Sequence, residues 1–92
     1  MKKIALNSEV WKEGNMFTAY CREFDVASCG KTPEEAQKNL LEALEIFFLE
    51  TSRKGTLLDI LEESGFVARN EGLLDTPYLF LSQEKIEVEL KL

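Results

Sequence analysis

Histidine is missing from the sequence, and this absence narrows the possible chemistry sharply. Histidine is the commonest general acid–base group and the usual activator of serine and cysteine nucleophiles. Any catalysis would therefore rest on carboxylates, with a metal ion as the expected helper. Cysteine is nearly absent too, and two thiols without histidine do not make a zinc site. The composition alone therefore leaves a carboxylate–metal enzyme open, but it argues against histidine-based catalysis and against a zinc site.

Positive charge is also scarce. The chain has 11 lysines and arginines against 17 aspartates and glutamates, which gives a formal net charge of −6. Because general nucleic-acid binding needs a basic face, we expect no nucleic-acid partner. Acidic residues crowd the middle of the chain, where they could aid solubility or could steer the docking of a basic protein.

No apolar run approaches the length of a membrane span. Met1-Lys2-Lys3 opens the chain, and the apolar run after it is too short for a signal peptide. We therefore expect a cytoplasmic protein without a membrane partner. In that compartment Cys21 and Cys29 are expected to be reduced and buried as small apolar residues. A disulfide across adjacent strands is the alternative.

The 92 residues, 45% of them hydrophobic, predict one domain over 1–92. Its core is expected over 4–54, followed by a second helix and a C-terminal strand in 56–92. β-forming side chains between turn signals predict the first three strands. These strands are expected at 3–12, 16–22 and 26–30.

The stretch Gly30-Lys31-Thr32 resembles the end of a phosphate loop, but Asp25 stands where that loop requires glycine. Thr32 is instead a good N-cap, with proline at the first helical position and Glu35 completing a capping box. The stretch therefore predicts the start of a long helix over 33–53. Its apolar stripe is wider than one sheet face requires, so the surplus is expected under a second helix or in a protein interface.

The rest of the chain is predicted more coarsely. Thr56 is expected to cap a second helix, and residues 67–77 show no clear period and are interpreted as a connection. Residues 78–81 are expected to form a short apolar strand or an edge segment. The alternating residues 85–92, KIEVELKL, are expected to form a C-terminal strand. The fold class is therefore α+β with two layers: a meander packed by a long helix, then a short helix and a strand (βββααβ).

The ordered residues of the first half resemble the HicB-like antitoxin family. The matching stretch is GNMFTAYCREFDVASCGKTPEEAQKNLLEALEIFFLE, within a resemblance that covers about residues 4–50. The positions that carry it are Gly14, Tyr20, Cys21, Glu23, Ser28, Gly30, Thr32, Glu35, Ala36, Leu40, Ala43 and Leu49.

The resemblance implies a truncated ribonuclease H-like domain that acts by binding protein. It also implies that the protein is not an enzyme and holds no metal and no cofactor. Its expected partner is a small basic toxin of HicA type, an mRNA interferase whose active surface the antitoxin covers. Many family members also carry a C-terminal DNA-binding segment. This chain departs from them, because an acidic short helix and a β-forming tail stand there.

The partner-binding side chains are expected on the acidic helix and on the turn between the second and third strands. They are Glu23, Asp25, Glu42, Glu45, Phe48 and Leu49. Alternatives remain open: a stand-alone oligomer, a carboxylate–metal nuclease that uses Glu23 and Asp25, or a DNA-binding β-ribbon dimer. The alternating strand 85–92 offers a sheet edge, so a homodimer or a higher even oligomer is expected.

Overall fold

The computed structural model describes residues 3–70 and 72–91. Strands and helices follow one another in the order predicted for an α+β protein, with additional short strands. The elements are β1 (Lys3–Ala5), β2 (Ser8–Glu13), β3 (Met16–Cys21), β4 (Val26–Gly30), α1 (Pro33–Arg53), α2 (Leu57–Glu63), β5 (Val67–Asn70) and β6 (Leu73–Asp75).

The predicted meander is confirmed as an antiparallel sheet in the order β2-β3-β4. Gly14 takes φ +62° in the two-residue turn between β2 and β3, a conformation that favours glycine in a hairpin. The register places Trp11 opposite Thr18, and Thr18 opposite Cys29. One face of this sheet is covered by α1.

The long helix begins where the sequence predicts. The backbone N–H of Glu35 donates to the Thr32 hydroxyl at 3.0 Å, as in an N-cap. A Cβ at Gly30 would lie 2.6 Å from the backbone nitrogen of Ala36, so glycine permits α1 to start close against β4. The buried core then joins the inner face of the helix to the central strand. Its members are Ala19, Cys21, Ala36, Leu40 and Leu44.

Four phenylalanines form a second apolar cluster beside this core. The Phe24 ring centroid lies 5.3 Å from the centroids of Phe47 and Phe48 and 5.6 Å from that of Phe66. Phe24 comes from the turn between β3 and β4, and Phe66 follows α2. Part of the surplus apolar surface of α1 is therefore covered by these two rings.

The first strand is shorter than predicted and divides in two. Residues 6–7 separate β1 from β2, and β1 leaves the meander to pair in parallel with β6. Residues 67–77, predicted as a connection, contain β5 and β6, which pair antiparallel. The second sheet has the order β1-β6-β5. Its three- and four-residue strands are too short to show a clear period, which explains why they were not predicted.

The predicted C-terminal strands at 78–81 and 85–92 were wrong in position. Residues 76–91 form no strand, and the C-terminal strands are β5 and β6; residue 92 lies outside the described part. Alternation reports the period of side chains, whereas a strand also needs a partner edge. No edge within residues 3–70 and 72–75 pairs with this segment.

Two smaller expectations also fail. Thr56 precedes α2 in helical geometry without a side-chain cap, and its hydroxyl donates to the carbonyl of Thr51 at 3.3 Å. Cys29 is exposed rather than buried, while Cys21 is buried, and both are free thiols on opposite faces of the meander. Burial raises the pKa of the Cys21 thiol, which keeps it protonated.

Over the described residues, neither helix combines the length and the apolar character needed to cross a bilayer.

Candidate protein-binding surface

The outward side of α1 carries an acidic and apolar patch. It consists of Glu42, Glu45, Ile46 and Leu49, which border a shallow depression of about 490 Å³ and are called the helix-face patch below. The spacing of three and four residues places all four on one side of the helix. Ile46 and Leu49 are 59% and 53% exposed, so both aliphatic side chains are left open to solvent. Leu41, also exposed, lies one turn before Glu45.

The two carboxylates of the helix-face patch face solvent. In the described part of the chain, the ion pair found is Arg69 with Asp75 at 3.4 Å, far from α1 in the sequence. Glu42 and Glu45 are exposed and have no ion-pair partner there. A cationic group of a second protein could therefore approach either carboxylate without displacing an internal contact.

Phe48 does not belong to this patch. Its ring meets Phe24 edge to face and lies 5.5 Å from Phe47, so the side chain packs toward the core. Phe48 is one residue before Leu49, which turns it about 100° around the helix axis. The structure therefore brings three of the six predicted partner residues together and adds Ile46.

Glu23 lies elsewhere and serves an internal contact. Its Oε2 accepts hydrogen bonds from the backbone N–H and from the side-chain amide of Asn7, each at 3.1 Å. Partial burial acts to raise the pKa of Glu23, but hydrogen bonds from Thr76 and Asn7 outweigh it and lower that pKa. The carboxylate thereby links the β3–β4 turn to the residues between β1 and β2.

Asp25 is also engaged. It takes φ +55° in the turn, and its Oδ1 accepts a hydrogen bond from the Tyr20 hydroxyl at 3.0 Å. That hydrogen bond is the main reason why the pKa of Tyr20 is raised. Within 3–70 and 72–91, no three His, Cys, Asp or Glu side chains gather into a group that could hold a metal ion.

Sequence reasoning missed a groove of about 670 Å³ beside β2. One wall is the edge of β2, and the other is the segment 78–83. Asn7 donates its side-chain amide to the carbonyl of Tyr78 at 3.0 Å, and the Arg22 guanidinium lies 5.3 Å from the Tyr78 ring centroid. These contacts hold the start of the segment, but no periodicity of a single element could have indicated them.

Beyond Tyr78 the chain exposes much apolar surface. Leu79 and Leu81 are each 82% exposed, and the alternating Ile86, Val88 and Leu90 are 73–82% exposed. Apolar side chains clustered in this way are typical of a surface that another molecule covers. We call residues 85–91 the C-terminal segment.

Comparison with protein-family models, curated proteins and solved structures finds no match. The functional argument therefore depends on the chemistry of the surfaces. Two are suited to binding protein: the helix-face patch, with carboxylates beside aliphatic anchors, and the C-terminal segment, with alternating apolar and charged side chains. The first suits a basic partner, and the second suits a β-strand.

Proposed function

We propose that this protein is a HicB-like antitoxin that binds and neutralises a small basic mRNA interferase of HicA type by protein–protein contact. The observation that carries the proposal is the helix-face patch, where unpaired carboxylates flank exposed aliphatic side chains on a packed helix. The resemblance of residues 4–50 to the family in the order of their residues also supports it, because α1 lies largely within that segment.

The patch has the composition of a small docking surface. Ile46 and Leu49 supply apolar area that a partner can remove from water, at about 25 cal/mol for each Å². Glu42 and Glu45 supply negative charge that accelerates encounter with a basic surface and orients it. Since an interferase that holds RNA needs a basic face, covering that face with carboxylates would exclude the RNA.

The helix presents these side chains in a fixed arrangement. The opposite side of α1 is anchored by Leu40 and Leu44 in the core and by Phe47 and Phe48 in the aromatic cluster. Binding would therefore require little ordering of the backbone, which limits the entropic cost of association.

The test begins with a small basic protein encoded next to this one, co-expressed and purified with it. The affinity is then measured by calorimetry for the wild type and for Glu42→Lys/Glu45→Lys. Replacing two attractive charges by two repulsive ones is expected to weaken binding by about a hundredfold or more. The matched control is Glu62→Lys/Glu63→Lys on α2, which makes the same change of charge away from the patch.

A second variant separates apolar from electrostatic binding. Leu49→Asp removes an apolar side chain from the exposed side of α1 and adds a negative charge. A purely electrostatic interface would therefore be unaffected or strengthened. We expect it to weaken binding by about tenfold or more, because Leu49 acts as an anchor. Equal effects of the α1 and α2 double variants, or unaltered toxicity of the basic protein in the complex, would contradict the proposal.

The stand-alone oligomer remains the second candidate, favoured by the exposed C-terminal segment. It predicts a defined assembly of this chain alone and no neutralising complex with the adjacent protein.

A further inference from the structure

The C-terminal segment has the pattern of a strand and lacks a strand partner in the described chain. Ile86, Val88 and Leu90 alternate with charged residues, so a strand here would have one apolar and one charged face. Each of the three apolar side chains is at least 73% exposed. A single copy therefore leaves both the backbone groups and the apolar face of this segment without cover.

We propose that the C-terminal segments of two copies pair as an antiparallel β-ribbon, with Glu89 on the two-fold axis. In this register Val88 faces Leu90 of the second copy, and Glu87 faces Lys91 of the second copy. Each of these pairs occurs twice because of the symmetry. The inference is independent of the helix-face patch and of the toxin.

The charge pattern selects this register among those that keep apolar side chains on one face. With Val88 on the axis, Lys85 would face Lys91 and Glu87 would face Glu89, so every charged pair would be repulsive. Like charges directly opposite one another destabilise an antiparallel pair. That register is therefore disfavoured.

The other neighbouring register places Glu87 on the axis. It pairs Lys85 with Glu89, which is favourable, but it also places Glu84 opposite Leu90 on the apolar face, twice in the dimer. Burying an ionised carboxylate beside an apolar side chain is costly. With Glu89 on the axis, the only repulsive pair within residues 87–91 is Glu89 with itself.

These charges indicate a second copy of the chain as the partner. In an antiparallel pair, the negative Glu87 of each copy faces the positive Lys91 of the other. A two-stranded ribbon alone is only marginally stable in water. Its apolar face, with three described side chains from each copy, would be covered by stacking on the same face of another ribbon. The proposal therefore predicts dimers that associate further in pairs, never odd-numbered assemblies.

Charge reversal within the full chain tests the register by sedimentation equilibrium. Glu87→Lys and Lys91→Glu should each weaken dimerisation by about tenfold, since each places like charges opposite one another twice. The double variant Glu87→Lys/Lys91→Glu should recover the wild-type affinity to within a few fold. Circular dichroism and thermal unfolding establish that each variant is folded.

Lys85→Glu is the matched control, because none of residues 84–91 of the second copy stands opposite Lys85 in the proposed register. It should leave the dimer unchanged, whereas it would weaken the register centred on Glu87 and strengthen the one centred on Val88. Glu89→Gln should tighten the dimer by a few fold by removing the repulsion on the axis. A wild-type monomer at high micromolar concentration, or a double variant as weak as the single ones, would overturn the proposal.

Discussion

At the scale of single residues, Glu23 joins parts of the chain that are distant in sequence. Its carboxylate accepts two hydrogen bonds from Asn7 and holds the β3–β4 turn beside the end of β1. We expect Glu23→Ala to lower the free energy of unfolding by about 1–2 kcal/mol at neutral pH, since the donors of Asn7 lose their acceptor. Urea denaturation measures this loss, and Glu84→Ala, at an exposed position, is the control.

The same residue predicts a pH dependence with a definite sign. The pKa of Glu23 is lowered in the folded protein, so its contribution is complete above the unfolded value and lost as the pH falls through the folded one. The stability difference between wild type and Glu23→Ala should therefore shrink as the pH falls below the ordinary range of a glutamate and through the lowered pKa of Glu23. A difference that grows on acidification would contradict this assignment.

Gly30 matters because of space rather than backbone angle. A Cβ there would lie within 3 Å of backbone atoms of Glu35 and Ala36, and backbone cannot rotate away as a side chain can. We expect Gly30→Ala to cost about 2 kcal/mol or more of unfolding free energy. Cys29→Ala, at the exposed neighbouring position, should change the thermal midpoint little; equal losses in the two variants would refute the steric explanation.

Residue chemistry was predictable where it is local. The cap at Thr32 and the turn at Gly14 depend on residues within a few positions, so the sequence indicates both. The contacts of Glu23 and of Asp25 were not predicted, because they depend on which side chains the fold brings near the turn. Glu42, Glu45 and Leu49 could be placed on one surface by helical spacing alone.

At the scale of elements, Phe24 connects the meander to both helices. Its ring meets Phe47 and Phe48 of α1 and stacks at 6° on Phe66, which follows α2. We expect Phe24→Ala to destabilise the fold by about 2–3 kcal/mol, somewhat below a fully buried phenylalanine because the ring is half-buried. Phe80→Ala, where the ring is 65% exposed, is the control in chemical denaturation.

A loss in Phe24→Ala no larger than in Phe80→Ala would mean that the aromatic cluster does not hold α2 to the rest of the protein. The variant should also loosen some elements more than others. Because Phe24 links α2 through Phe66, hydrogen exchange in α2 should accelerate more than exchange in the middle of β3.

The elements that depend on residues nearby in the sequence were the predictable ones. The meander and α1 follow from hairpin turns and a capped helix. The bounds of β3, β4 and α1 were predicted correctly or nearly so, whereas the first predicted strand divides into β1 and β2. The parallel pairing of β1 with β6 joins residues about seventy positions apart, and neither strand is long enough to show its period. The C-terminal segment shows the converse: a clear period without a partner strand in its own chain.

At the scale of the whole molecule, the single chain is less compact than its length implies. The radius of gyration is 16.0 Å, with extents of 50 × 28 × 25 Å. A compact domain of this length would have a radius of gyration of about 12 Å. Residues 77–91 are all exposed, which agrees with a segment that is completed by another molecule.

This shape predicts hydrogen exchange that depends on concentration. Backbone amides of residues 87–91 should exchange rapidly in dilute solution and become protected at high micromolar concentration, when a ribbon forms. Amides of α1 should show the same protection at both concentrations. Rapid exchange in the C-terminal segment at every concentration would exclude pairing there.

The central functional claim is that the helix-face patch binds a basic toxin. The most direct test is calorimetric titration of the basic protein encoded next to this one. It is titrated into the wild type, into the α1 double variant and into the α2 double variant. The account predicts tight binding to the wild type and to Glu62→Lys/Glu63→Lys, with loss of about a hundredfold or more in Glu42→Lys/Glu45→Lys. Full affinity in the α1 double variant, or no binding by the folded wild type, would contradict it.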